Sequence, residues 1–233
     1  MTPFLPQTLL LLLFLSTGLN AATTIVDYTV NSSVPDNNPT GLVDTRTIIG
    51  SSITSITSIE VRFQSSGGWN GDLYAFLSHD SGFSVLLNRP GTSSLDTIGS
   101  ASSGFNVVFS DGAITDIHTG IAGGGYITGT WQPDARNVDP DFVLDTDPRT
   151  AFLSSFNGLA ADGNWTLFMA DMSAGDESTL TGWGLTITGS VPEPSRVLLL
   201  MLGLASSLLR RRRCSGFGIA NRAHFRHILR RKD

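Results

Sequence analysis

The chain has 233 residues, 15 Lys+Arg against 20 Asp+Glu, a formal net charge of −5 and a single cysteine. An acidic balance excludes a protein that grips nucleic acid by its phosphates, since like charges repel. One cysteine, Cys214, excludes an internal disulfide framework.

The N-terminal stretch "MTPFLPQTLLLLLFLSTGLNAA" reads as a secretory signal peptide, residues 1–22, with small residues at a cleavage point near Ala21 or Ala22. Its apolar run, Leu9 to Leu15, is far shorter than the roughly 20 residues a membrane-spanning helix needs. No Lys or Arg precedes the run, so the amino terminus supplies the positive charge.

Residues 23–189 make one domain's worth of chain, long enough to bury a core. Charge is partitioned sharply. This stretch holds five arginines and no lysine against eighteen acids, a net charge of −13, while nine of the basic residues lie from Arg210 onward. Sixteen of the eighteen acids are Asp, a residue of turns and loops. With no cysteine inside it, this domain relies on its core or on a bound metal for stability.

Short apolar alternations bounded by turn residues run through the domain. Ile59, Val61 and Phe63 alternate with Glu60, Arg62 and Gln64; Trp165, Leu167 and Met169 share one face, as do Trp183, Leu185 and Ile187. Such period-2 patterning predicts half-buried strands. Further strands are expected at Thr24–Val30, Asp72–Ser78, Ser84–Asn88, Phe105–Phe109 and Ala151–Phe156, and a long irregular loop at Pro133–Pro148. No amphipathic helical stretch of ten residues appears. Many strands without helices predict an all-β fold, an antiparallel β-sandwich.

The C-terminal region, residues 190–213, has three parts in order: Val191-Pro192-Glu193-Pro194, an apolar run from Val197 to Leu209, and Arg210, Arg211, Arg212 and Arg213. The 13-residue run would make a helix of about 20 Å, short of the roughly 30 Å hydrocarbon core. The arginines would face the cytoplasm if the run stopped in a membrane. This order resembles the PEP-CTERM sorting signal of Gram-negative bacteria. The resemblance implies recognition and removal by an exosortase, a membrane cysteine peptidase, after signal peptidase has acted at the other end. It further implies transient membrane contact through 197–209 and delivery to the cell surface or the exopolysaccharide matrix. A basic tail, residues 214–233, follows the arginines, where members of that family usually stop.

Three stretches of the domain carry a second resemblance. They are Ser55–Leu95, with Gly71-Asp72-Leu73 and Gly91-Thr92 as fixed points; Phe105–Ala113; and Leu153–Gly189, which holds Gly163, Trp165, Leu167, Asp171, Leu180, Trp183 and Leu185. Together they are similar to the P domain (P/Homo B domain) that follows the catalytic domain of kexin- and furin-like proteases; the segment between Asp116 and Phe152 departs from it. The resemblance implies a jelly roll closing on a C-terminal hairpin of its last two strands, and a link to serine endopeptidases.

Catalysis by the chain itself is not expected. Asp80-Ser81-Gly82 and Gly91-Thr92-Ser93 imitate subtilase motifs, but only ten residues separate them and no His-Gly motif lies between. They read as turns, and His79 and His118 have no nucleophile pattern beside them. Calcium is the cofactor the sequence admits, because it takes six to eight oxygens and Asp is abundant. Asp72, Asp111 and Asp171, one in each family-like stretch, are the expected ligands, with Asp176 and Glu177 nearby. Trp165 and Trp183 are expected in the core; Trp69, flanked by Gly67-Gly68 and Asn70-Gly71, is expected at the surface as a sugar-stacking residue. The expectation is a non-catalytic surface or matrix protein. The alternatives are an accessory to a separate subtilisin-like protease and a carbohydrate-binding module.

Overall fold

The computed structural model describes residues 20–120 and 124–192, together with Gly203 and Ser206. Among the described residues nine strands form: β1 (Asn20–Ser33), β2 (Asn38–Ile48), β3 (Ser55–Gly67), β4 (Leu73–His79), β5 (Gly82–Asn88), β6 (Phe105–Phe109), β7 (Ile127–Trp131), β8 (Gly163–Asp171) and β9 (Ser178–Val191). Three short 3-10 turns, Asn70–Asp72, Ile117–Thr119 and Leu153–Phe156, punctuate them.

The strands form two sheets, ordered β1-β9-β3-β6-β7 and β2-β8-β4-β5. Every neighbouring pair is antiparallel except β6 and β7. With β7 set aside, eight strands remain in two sheets of four, and the chain crosses between sheets at most connections. That is the strand order of a jelly roll. The fold is thus the expected all-β sandwich, with one added parallel edge strand.

Alternation explains why these segments pair as they do. In β4, Leu73, Ala75 and Leu77 are fully buried while Tyr74, Phe76 and Ser78 face outward. In β8, Trp165, Leu167 and Met169 point into the core, and in β9 Trp183, Leu185 and Ile187 do so from the opposite sheet. Phe63 sits between Phe105 and Phe109 with ring centroids 6.0 Å from each. Trp165 is buried because its one polar atom is satisfied: Nε1 donates to the Ala161 carbonyl at 3.0 Å. His79 stacks on it at 4.0 Å.

The structure corrects the sequence reading at several points. The strand expected at Ala151–Phe156 is instead a 3-10 turn, because Ala151, Leu153 and Phe156 bury themselves at spacings of two and three rather than two and two. The strand expected from Asp72 begins at Leu73, Asp72 belonging to the preceding turn. β2 and β7 were not foreseen. The last two strands, β8 and β9, are not a hairpin: they lie in opposite sheets, and Met172–Glu177 arches between them. Each strand carries a Trp that needs a core, and opposite sheets let both point into the same one.

The ends of the domain also lie slightly beyond the expected 23–189. Asn20, Ala21 and Ala22, within the expected leader, pair with Val191, Ser190 and Gly189. The compact unit ends at Pro192. Of the apolar run 197–209, only Gly203 and Ser206 are described, both helical. Glu193, Pro194 and Arg210–Arg213 lie outside the described residues, as do residues 1–19 and the tail 214–233. Among the described residues no helix is long and apolar enough to cross a membrane.

Candidate functional site

Gly71-Asp72-Leu73 is built by tight packing. Asn70 is buried and its side chain clasps Gly104, accepting from the amide at 2.8 Å and donating to the carbonyl at 3.1 Å. Gly71 lies so close to the 98–100 segment that a Cβ there would meet the Ile98 carbonyl at 2.3 Å. Leu73 plugs the core. Asp72 is thereby held at the start of β4, beside the end of β8, where Leu73 pairs with Asp171.

An acidic end results. Asp171 has no exposed surface; one carboxylate oxygen accepts from the Ser173 amide at 3.3 Å and the other has no partner. Burial above all, and then the charges of Asp72, Asp36 and Asp176, raise its pKa to about 6 against the Ser173 bond. Asp72 is also raised, chiefly by burial, with Asp176 and Asp36 adding to it and the Ser173 hydroxyl and Arg89 opposing. Arg89 approaches Asp72 at 3.7 Å. Asp36, from the β1–β2 turn, accepts from the Gly175 amide of the arch at 3.2 Å. Trp69 stands just ahead of the turn Asn70–Asp72. It is half-buried, and its Nε1 is buried without a partner.

Asp111 is elsewhere, so the expected calcium trio is not assembled. Its carboxylate accepts from the amides of Leu153 at 3.0 Å and Ser154 at 2.7 Å, capping the turn Leu153–Phe156. It follows β6, whose end Phe109 pairs with Val61, whereas the arch end of β3 is Gly67, paired with Ser178. Six residues of strand separate those levels, roughly 20 Å at about 3.3 Å per residue. Asp111 borders a polar groove of about 350 Å³ that also includes Glu60, Asn157, Thr186 and Thr188. Among the described residues no three His, Cys, Asp or Glu side chains are grouped tightly enough to hold a metal ion as they stand. The glutamate and aspartate of the arch, Glu177 and Asp176, are exposed.

A buried ionic network, unforeseen from the sequence, ties the long loop to the sandwich. His118 places Nδ1 at 2.7 Å from the Asp134 carboxylate and Nε2 at 2.8 Å from the Thr92 carbonyl. Burial pulls its pKa down, but the Asp134 bond and charge and the Thr92 carbonyl outweigh this and leave it raised. Arg136 bridges Asp116 at 2.8 Å and Asp134 at 3.1 Å. Arg149 reaches Asp116 at 3.4 Å, the Gln132 side chain at 2.8 Å and the Pro133 carbonyl at 2.7 Å. The arrangement has a His–Asp pair, but His118 meets the carbonyl of Thr92 rather than its hydroxyl, which donates to the Arg89 carbonyl at 2.8 Å. Asp80-Ser81-Gly82 is the turn of the β4–β5 hairpin, where His79 pairs with Gly82. Mixed charge in "PDARNVDP" was the available signal for this network, since Arg is seldom buried without partners.

The described fold is therefore a jelly-roll sandwich with an acidic end and a loop locked by ion pairs. No family model matches the chain, and no curated protein matches it. Among solved structures, the serine protease of Aeromonas sobria, alone and in complex with the chaperone ORF2, overlaps this chain at 13% identity with a TM-score of 0.42. The overlap covers 73% of this chain and 27% of those chains, and at that TM-score it carries no argument about activity.

Proposed function

We propose that this chain is a non-catalytic exported protein of the cell surface or extracellular matrix. It is a P-domain-like jelly roll carried out behind a signal peptide, held briefly at the inner membrane through 197–209, and released by an exosortase acting at Val191-Pro192-Glu193-Pro194. The observation that carries the reading is where the fold ends. Val191 is the last residue of β9, and Pro192, lacking an N–H, cannot extend the ladder. The sorting motif thus starts where β9 ends, and cleavage after it leaves β9 intact, while removal of the leader trims only the first residues of β1. Leader and sorting signal attach at the same end of one strand pair.

The residues shared with P domains support the rest of the reading. Gly71, Leu73, Trp165, Trp183 and Leu185 serve packing, and the Thr92 hydroxyl is bonded to the Arg89 carbonyl. Side chains at these motif positions hold the scaffold together, which supports the non-catalytic reading.

Replacing Pro192, Glu193 and Pro194 with alanines in the native host, followed by immunoblotting of membrane and medium, tests the sorting claim. An uncleaved precursor in the membrane fraction is expected. Unchanged release into the medium would overturn it in favour of plain secretion. Hydrolysis of casein by the purified chain, with a serine-directed probe labelling one Ser, would overturn the non-catalytic claim.

A further inference from the structure

We infer that the arch end of the sandwich is a binding site for a hard divalent cation of the calcium class, centred on Asp171 and Asp72 and not on the trio suggested by the sequence. Asp72 ahead of β4 and Asp171 at the end of β8 are brought side by side by the pairing of Leu73 with Asp171, and the charges of Asp36 and Asp176 act on both, although among the described residues no three carboxylates are grouped tightly as they stand. Arg89 is the cation that bridges Asp72, at 3.7 Å. Charge of one sign so concentrated calls for a counter-ion.

The second observation is independent of that charge. Asp171 is completely buried, yet one of its oxygens has no hydrogen-bond partner. Buried polar atoms left in this state are costly and rare in folded proteins. A carboxylate oxygen can only accept, so its natural partner is a donor or a cation. The surroundings of Asp171 supply carboxylates, which are not donors when ionised.

The donor set selects the ion. Among the described residues the ligands on offer are oxygens: the carboxylates of Asp72 and Asp171 and the Ser173 hydroxyl that bonds Asp72. No His or Cys joins them, which disfavours zinc and favours calcium. Calcium accepts irregular shells of six to eight oxygens that include carbonyls and water, so two fixed carboxylates are a sufficient nucleus. Asp36 and Asp176 are exposed, and Asp36 is held to the arch by the Gly175 amide. Glycine at 175, with φ +138, permits the arch to fold over the site.

The test is thermal melting of the purified full-length chain after EDTA treatment, with added calcium, magnesium or sodium, alongside equilibrium dialysis with radioactive calcium. Calcium at a hundredfold excess over Kd is expected to raise Tm by roughly 5–10 °C, magnesium much less, with one calcium bound per chain. Asp171→Asn is expected to abolish both the shift and the bound calcium. Asp72→Asn, at a partly exposed position, gives the same readout if Asp171→Asn does not fold. Asp111→Asn, at the far end of the sandwich, is expected to keep both. Equal shifts from calcium and magnesium, calcium retained by Asp171→Asn and Asp72→Asn, or calcium lost in Asp111→Asn would each overturn the inference.

Discussion

Two buried titratable groups make stability depend on pH in the same direction. Asp171 has a folded pKa of about 6, above the ordinary carboxylate value, so the folded state holds its proton more tightly than the unfolded state does. Stability therefore falls as pH rises through the interval from about 4 to about 6. His118 is raised as well, so its contribution is full below the ordinary histidine value and is lost as pH climbs through its folded value. Metal-free protein should melt at a higher temperature near pH 5 than near pH 8. Asp171→Asn, which mimics the protonated acid, should stabilise metal-free protein at pH 8 by about 2–3 kcal/mol and change little below pH 4. Denaturant titrations at the two pH values measure both. A gain of equal size at pH 3.5 would show that the effect is packing and not the proton.

At the scale of elements, the turn Leu153–Phe156 depends on one distant side chain. Asp111 accepts both of its leading amides, so Asp111→Ala should cost about 1–2 kcal/mol, a typical cap value, and speed hydrogen exchange at Leu153 and Ser154 ahead of the rest of the chain. Uniformly faster exchange across all strands would instead mean that the cap is not local. The same turn shows where sequence reading fails. Strands whose inward residues are apolar were legible, as with β3, β4, β8 and β9. β2 was not, because two of its inward positions are Asp44 and Arg46; they are tolerated there since Asp44 accepts from Trp183 Nε1 at 2.7 Å and Arg46 pairs with Asp44 and lies over Tyr28. β7 carries Gly129 at its centre and presents a mostly polar face. Likewise Asp72 and Asp171 share a site because β4 pairs with β8, a register no spacing reveals, while Asp111 looked equivalent to them in sequence and caps a turn at the other end.

For the whole molecule, charge is the dominant unspent quantity. Each of the five arginines of residues 23–189 is in an ion pair: Arg46 with Asp44, Arg62 with Asp27, Arg89 with Asp72, Arg136 with Asp116 and Asp134, and Arg149 with Asp116. The other acids have no arginine against them, which leaves the domain at −13. Salt acts on these two populations in opposite senses. Screening weakens the exposed bridges, such as Arg62–Asp27, but each is worth at most about 1 kcal/mol. The Arg136–Asp134–His118 network is buried and largely out of reach of ions. Repulsion among the unpaired surface carboxylates, in contrast, is long-ranged and fully open to screening once the Debye length falls to about 10 Å at 0.1 M. Repulsion should win. In EDTA at pH 8, raising sodium chloride from about 0.01 M to about 0.3 M, Debye lengths of some 30 Å and under 8 Å, should raise the melting temperature smoothly. Sodium and potassium should act alike, and Asp171→Asn should respond as the parent does. A melting temperature that falls with salt would mean that the arginine bridges, and not the excess of acid, govern the surface of this sandwich.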